Sequence, residues 1–304
     1  MFNPQPQRLS LFKRPRVLIV GCGDVGLRVA RQLAHCRVRA LTSQVTRVPA
    51  LRELGLVPLV GNLDQAATLG RLAGLASYVV HMAPPPNTGA TDPRTANILQ
   101  ALGRRGGVRA LVYGSTTGVY GDAQGERFDE TRPLNPTTPR ARRRVDAEAR
   151  VRWFGRQHMS SGTRASILRI PGIYAPDREG GHPRDRVEKG SPTLVAEDDV
   201  YTNHIHADDL ARIAVMAMWR GKPQRVLHAS DDTEMKMGAY FEWVADHYQL
   251  PRPPKITLAE AQRTLTVMQL SFWSESRRLI NERMKADLRF KLRYPTVQDG
   301  LRHG

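Results

Sequence analysis

One short segment limits the possible folds of this chain more than any other. Val20-Gly-Cys-Gly-Asp-Val-Gly26 is a G-x-G-x-x-G sequence. It lies between an apolar run, Arg16-Val-Leu-Ile-Val20, and a helical pattern from Leu27 to Ala34. Position gives the glycines their meaning. Gly21 permits a tight turn after a strand, Gly23 lets the backbone approach a pyrophosphate, and Gly26 lets the helix pack closely on the strand. The start of that helix offers free N–H groups to phosphates. Gly21, Cys22, Gly23, Asp24, Val25 and Gly26 are therefore candidate dinucleotide-binding residues.

The pattern after the turn agrees. Short apolar runs at Val38–Leu41, Val57–Val60, Tyr78–His81, Ala110–Tyr113 and Ser166–Arg169 predict five further strands. Helical segments ending near Gly55 and over Ala66–Leu75, Thr95–Leu102 and Arg142–Arg156 fall between them. Strands alternating with helices imply parallel βαβ units, hence an α/β fold with a doubly wound parallel sheet. After Ile170 the pattern loosens around Pro and Gly, a helix follows over Ala207–Trp219, and Gln224–Ala229 offers one more strand. The expected organisation is a flexible tail over 1–14 and a dinucleotide-binding domain over 15–170. A smaller C-terminal substrate lobe over 171–304 completes it, with 203–230 returning to the sheet.

Composition removes several classes. Two cysteines among 304 residues exclude a disulfide scaffold. No apolar run reaches the roughly 18–20 residues of a membrane span, and the first fourteen residues lack a signal-peptide core. These features predict a cytoplasmic protein without a membrane partner. The net charge is +17, and 39 of the 46 basic residues are arginine. They run from Arg8 to Arg302 with one dense cluster, Arg140-Ala-Arg-Arg-Arg144, and no nucleic-acid-binding motif accompanies it. Most are expected to be scattered over the surface, and nucleic acid is not the expected partner.

The second strand carries a further signal. A site for NAD places Asp or Glu at its end to accept from the ribose hydroxyls. Here the segment is Leu41-Thr-Ser-Gln-Val-Thr-Arg47, with no carboxylate before Glu53. Thr42, Ser43 and Arg47 are suited to a 2′-phosphate. NADP is the preferred cofactor on this reading, with NAD the alternative.

Together with the turn and the sheet, several ordered motifs resemble the extended short-chain dehydrogenase/reductase superfamily. The likeness runs from about Arg16 to Leu301, most closely to bacterial NAD-dependent epimerase/dehydratase proteins of the YeeZ-like kind. The motifs are Gly61-Asn-Leu-Asp64, Tyr78-Val-Val-His-Met-Ala-Pro84, Gly114-Ser-Thr-Thr-Gly-Val-Tyr-Gly121, Leu168-Arg-Ile-Pro-Gly-Ile-Tyr-Ala-Pro176, Asn203-His-Ile-His-Ala-Asp-Asp-Leu210 and Arg278-Leu-Ile-Asn281 with Leu292-Arg-Tyr-Pro295. The resemblance implies cofactor contacts from Asn62, Leu63, Met82, Ala83, Pro84, Ser115 and Pro171, and a substrate hydrogen bond from Thr116.

It also exposes a departure. The superfamily's acid/base is a Tyr, with a Lys four residues later on the same helix face. Alignment on Pro139 and Glu148 puts Arg140 at the Tyr position and Arg144 at the Lys position. Arginine, with a pKa above about 12, exchanges no proton near neutrality, but it holds carboxylate or phosphate in a bidentate fork. Thr116, Arg140 and Arg144 are thus the candidate catalytic set, with Arg144 also reaching the ribose and Arg142 and Arg143 facing solvent. Tyr120 and Tyr174 are the alternative acid/base groups by position. His204 and His206 lack an obvious third metal ligand, so no metal is expected, and Cys22 reads as a small packing residue.

The resulting expectation is an atypical NAD(P)-dependent oxidoreductase or epimerase/dehydratase-like enzyme on a small anionic or sugar-like substrate. Loss of the Tyr/Lys pair leaves a second expectation, a non-catalytic NADP(H) sensor. A homodimer through the helix Arg142–Arg156 is the expected assembly.

Overall fold

A computed structural model of the chain describes residues 14–265, 270, 273 and 275–302. The tail expected over 1–14 lies almost wholly outside them. Seven strands form one parallel sheet. From edge to edge they are Arg225–His228, Arg164–Ile170, Ala110–Thr116, Tyr78–His81, Arg16–Val20, Arg37–Thr42 and Val57–Val60. The first strand is therefore flanked by the second and the fourth, where the winding reverses. In sheets of this kind ligands bind beyond the strand carboxyl ends at such a reversal.

Alternation along the first strand shows why both sheet faces are covered. Val17 and Ile19 enter a core with the helices Asp24–Arg31 and Ala207–Arg220. Leu18 and Val20 point the other way, into a core with the helices Pro93–Gly103 and Pro139–Gln157. Strands buried on both faces read as continuous apolar runs, so the doubly wound reading holds. A third apolar cluster includes Val187, Leu194, Phe241, Val244 and Trp273 and belongs to the irregular C-terminal part.

Several boundaries move for local reasons. The first helix starts at Asp24, directly after Gly23, rather than at Leu27. Residues 66–72 form a 3-10 helix instead of an α-helix to Leu75. The arginine-rich helix starts earlier, at Pro139, because the Thr138 side chain accepts from the Ala141 amide and proline suits a first helical turn.

Candidate functional site

The glycine turn is built as its spacing implies. Gly21 has φ +84°, and a Cβ there would overlap the Ala83 backbone nitrogen on the neighbouring strand end. A Cβ on Gly26 would come within 2.6 Å of the Gly21 carbonyl oxygen. Gly23 differs, because a Cβ there would meet nothing within 4 Å. Its open side borders a cavity of about 340 Å³, whose wall also includes Cys22, Thr42, Ser43, Arg47, Asn62, Leu63, Asp64, Met82, Ala83, Pro84 and Arg94. A backbone left bare beside a cavity at a helix N-terminus fits a diphosphate.

The basic groups of this cavity have different roles. Arg94 is committed to Asp64 through two 2.7 Å hydrogen bonds. Arg47 donates to the Cys22 carbonyl at 2.8 Å and has no carboxylate partner among the described residues. The Thr42 hydroxyl accepts from the Gln44 amide at 3.2 Å, which shapes the loop after the second strand. Burial pushes the Cys22 thiol up to about 11, so it is protonated and packs. Asp24 turns its carboxylate away from the turn, bridging Arg28 at 3.0 Å and Arg178 at 3.1 Å. Val25 is partly buried against the core.

A second cavity, about 440 Å³, opens beyond the ends of Ala110–Thr116 and Arg164–Ile170. Thr116, Arg140, Pro171, Tyr174, His204 and Tyr240 line it, with Arg186 and Arg277 on the C-terminal side. Pro171 thus borders this cleft. Thr116 accepts from the Gly118 amide at 3.3 Å and keeps its hydroxyl proton for another acceptor. Arg140 is exposed and makes no side-chain hydrogen bond among the described residues. Partial loss of water, then the charges of Arg144 and Arg143, draw its pKa down. Arg277 is satisfied by Glu275 at 2.5 Å and by the Gly121 carbonyl.

Arg186 was not singled out from sequence, since nothing in the loosened pattern after Ile170 marks it. Its guanidinium lies 4.4 Å from the Phe241 ring centroid and 5.4 Å from that of Trp273. It has no carboxylate partner among the described residues, and burial lowers its pKa. A cation held on aromatic faces with little water is a receptor for an anion.

Other sequence candidates sit elsewhere. Arg144 is buried at 8% exposure and donates to the Tyr113 hydroxyl at 3.0 Å and the Gly114 carbonyl at 2.7 Å. It braces the strand end from within and lines neither cavity. Arg143, expected in solvent, is also buried and donates to the Gly89 carbonyl, whereas Arg142 is exposed. Ser115 donates to Glu148 at 2.6 Å, so its hydroxyl faces the helix and lines neither cavity.

Tyr120 is fully buried, accepting from Arg169 and bonded to His228, each at 2.6 Å. His228 donates through Nδ1 to the Ile280 carbonyl, which leaves Nε2 to accept from the Tyr120 hydroxyl. Burial pushes the Tyr120 phenol up to about 12 and removes it as an acid/base. Tyr174 reaches the cleft wall, but its hydroxyl donates to the Thr296 carbonyl at 3.2 Å. Burial, then nearby Asp231, raises its pKa well above the usual phenol range. His206 accepts from the Asp208 amide as a helix cap and packs against the Tyr294 ring at a tilt, a structural role.

Known proteins share this framework over different lengths. A 3-diazoavenalumate denitrifying reductase from Streptomyces sp is 27% identical over 94% of this chain and 99% of its own. A dTDP-glucose 4,6-dehydratase from Mycolicibacterium smegmatis is 32% identical over 53% of this chain. The match spans only 54% of that dehydratase. A conserved protein of unknown function from Silicibacter pomeroyi superposes with a TM-score of 0.79 at 28% identity, over 95% of this chain and 97% of that one. The family model covers residues 17–229, taking in the glycine turn, the sheet and the Thr116 strand end. On the combined weight of that match, the turn and the parallel sheet, the chain belongs to the NAD dependent epimerase/dehydratase family.

Proposed function

We propose that this chain binds a nicotinamide adenine dinucleotide, NADP in preference to NAD, and catalyses hydride exchange with a small anionic substrate. The observation that carries this reading is the pairing of two cavities on one edge of the sheet. One is walled by bare glycine backbone, and the other carries cationic side chains without carboxylate partners. Adjacent strand ends join them, since His81 pairs with Tyr113 in the sheet.

Gly21, Gly23 and the first turn of the helix from Asp24 would hold the diphosphate. Thr42, Ser43 and Arg47 suit a 2′-phosphate because no carboxylate stands at that strand end. Bound there, the dinucleotide would supply or accept the hydride. The Thr116 hydroxyl orients a substrate oxygen, and Arg140, at the mouth of the cleft, holds an anionic group that no neighbouring carboxylate already occupies. Thr116 is bonded only to a backbone amide and is not activated as a base. The relatives' names give two reaction types, a dehydratase acting on dTDP-glucose and a reductase acting on a diazo carboxylate. An anion-binding cleft suits either kind of substrate.

Parallel titrations with NADPH and NADH, followed by hydride-transfer assays on small carboxylates and phosphosugars, test the reading. Tighter NADPH binding and turnover of an anionic but not a neutral analogue are expected. Equal affinity for the two dinucleotides would remove the NADP preference, and absence of turnover across both substrate groups would remove the enzymatic claim.

The same reading includes a homodimer through the helix Pro139–Gln157. Trp153 is 57% exposed on that helix, and covering such a ring favours association. Sedimentation should show a dimer that Trp153→Glu converts to monomer; a monomeric parent would refute it.

A further inference from the structure

Part of the positive charge gathers at the opposite edge of the sheet. All seven parallel strands start there. Register sets Arg16 beside Arg37, and Ala110 beside Arg164. Backbone bonds from Ser77 to Arg16, from Arg109 to Ser77 and from Arg164 to Arg109 tie these starts together. With strands about 4.8 Å apart, Arg164, Arg109, Arg16 and Arg37 form a row roughly 20 Å long. The surrounding turns, 14–16, 31–37, 73–78, 103–110 and 158–164, add Arg14, Arg31, Arg104 and Arg105 and contain no Asp or Glu. Glu53 stands at one border and Asp287, paired with Lys222 and Arg225, at the other, while Asp208 shares a cavity with Arg31. Eight of the 39 arginines meet here, because the strand order brings distant sequence positions into line.

Some of this charge serves the fold. Helices end at this edge, and basic groups offset their terminal carbonyls. Arg16 donates to the Gly74 carbonyl at 3.2 Å, and Arg39 to that of Leu75 at 3.2 Å. Arg164 donates to the carbonyls of Gly221 and Trp219 at 2.8 and 3.1 Å. Arg31, in the last turn of the helix Asp24–Arg31, and Arg104, at the end of Pro93–Gly103, share that role without a direct bond, whereas Arg37, Arg105 and Arg109 lie beyond the helices. Each of the five is exposed and makes no side-chain hydrogen bond or ion pair among the described residues. Like charges gathered without partners oppose folding through mutual repulsion.

Apolar side chains share the same edge. Leu54 and Val57 lie at the start of the third strand, 50% and 40% exposed, and Met159 in the turn before Arg164 is 56% exposed. Only Val45 and Trp153 are also large, apolar and exposed among the described residues. The aromatic pair at this edge, Tyr78 and Trp219, is half-buried with its ring centroids 4.6 Å apart, so its rings pack against each other more than they offer open platforms for nucleic-acid bases. Cations interspersed with bare aliphatic groups instead match the headgroup region of an anionic bilayer.

We propose that this amino-terminal edge is a docking surface for an anionic phospholipid membrane. Lipid phosphates and carboxylates engage the unpaired guanidinium groups, while Leu54, Val57 and Met159 enter the headgroup boundary. Both cavities then face away from the bilayer and stay open to water. This surface docking needs no spanning segment, and no described helix is long and apolar enough to cross a membrane.

Co-sedimentation with vesicles of phosphatidylcholine mixed with phosphatidylserine, against phosphatidylcholine alone, tests the proposal. The full chain should pellet with the mixed vesicles at low salt and be released at high salt. Arg104→Glu/Arg105→Glu/Arg109→Glu should lower the bound fraction at least about tenfold, and Arg31→Glu/Arg37→Glu, from different turns, should also lower it. Leu54→Ser/Met159→Ser should weaken binding by a smaller factor while keeping its salt dependence. Unfolding midpoints no lower than the parent's in all three variants would assign the losses to the surface. Equal pelleting with both vesicle types, parent-like binding by both charge-reversed variants, or tighter binding to duplex DNA than to the mixed vesicles would overturn the proposal.

Discussion

The two cavities at the carboxyl edge of the sheet follow different rules. The dinucleotide cavity is made mainly of backbone: a positive-φ glycine, an open glycine and strand ends that any compatible side chains can build. The neighbouring cleft is made of side chains delivered from segments as far apart as Thr116 and Arg277. Backbone sites persist while their glycines and strand order persist. Side-chain sites change chemistry with one substitution, and Arg140, at the mouth of this cleft, is such a side chain. The proposed cofactor capture and substrate chemistry should therefore be separable by substitution.

The largest effect is expected where the cleft rests on the buried network behind it. Arg169 and Glu148 are 2% and 1% exposed and share hydrogen bonds of 3.1 and 2.7 Å. Glu148→Leu leaves the guanidinium of Arg169 buried without its carboxylate, at a cost of about 3–5 kcal/mol. Chemical denaturation should show that loss. A change below about 1 kcal/mol would mean the network does not hold the strand end.

Next comes the cleft itself. Arg186→Met keeps the aliphatic stem over Phe241 and removes the charge. KM for an anionic substrate should rise about tenfold or more, while NADPH affinity stays at the parent value. A parallel loss of NADPH affinity would erase the distinction between the two cavities.

A smaller effect concerns pH and divides the molecule differently. Burial lowers His81 and His204 to about 3 and His228 to about 4. An unfolded histidine titrates near 6.5, so between about 4 and 6.5 the unfolded chain binds more protons than the folded one. Stability should rise with pH across that window and fall as the solution is acidified through it. Replacing His228 by Asn should flatten the slope; an unchanged slope would show that it is not buried in its neutral form.

Much of the fold was legible in the sequence for a simple physical reason. Strands covered on both faces are unbroken apolar runs, and the turn glycines sit at fixed distances from them. Side-chain orientation was far less legible. Arg144 had the position of a ribose-binding residue, yet Tyr113 and Gly114, roughly thirty residues earlier, hold it inside the structure. Ser115 is captured by Glu148, and Tyr120 by Arg169 and His228, through contacts that exist only once the sheet has assembled. Arg186 carried no local signal because its aromatic partner Phe241 comes from a later helix. The row of arginines was hidden for the same reason, since strand order and not chain order makes its members neighbours.

Titration of the parent and a Gly23→Val variant with NADPH tests the central claim most directly. A side chain at Gly23 meets no protein atom within 4 Å at its Cβ, so the fold should tolerate it while the diphosphate cannot approach. The account predicts saturable NADPH binding by the parent, unchanged thermal unfolding of the unliganded variant, and at least about a hundredfold weaker binding by that variant. NADPH binding equal to the parent's in a folded variant, or no NADPH binding by the parent, would contradict it.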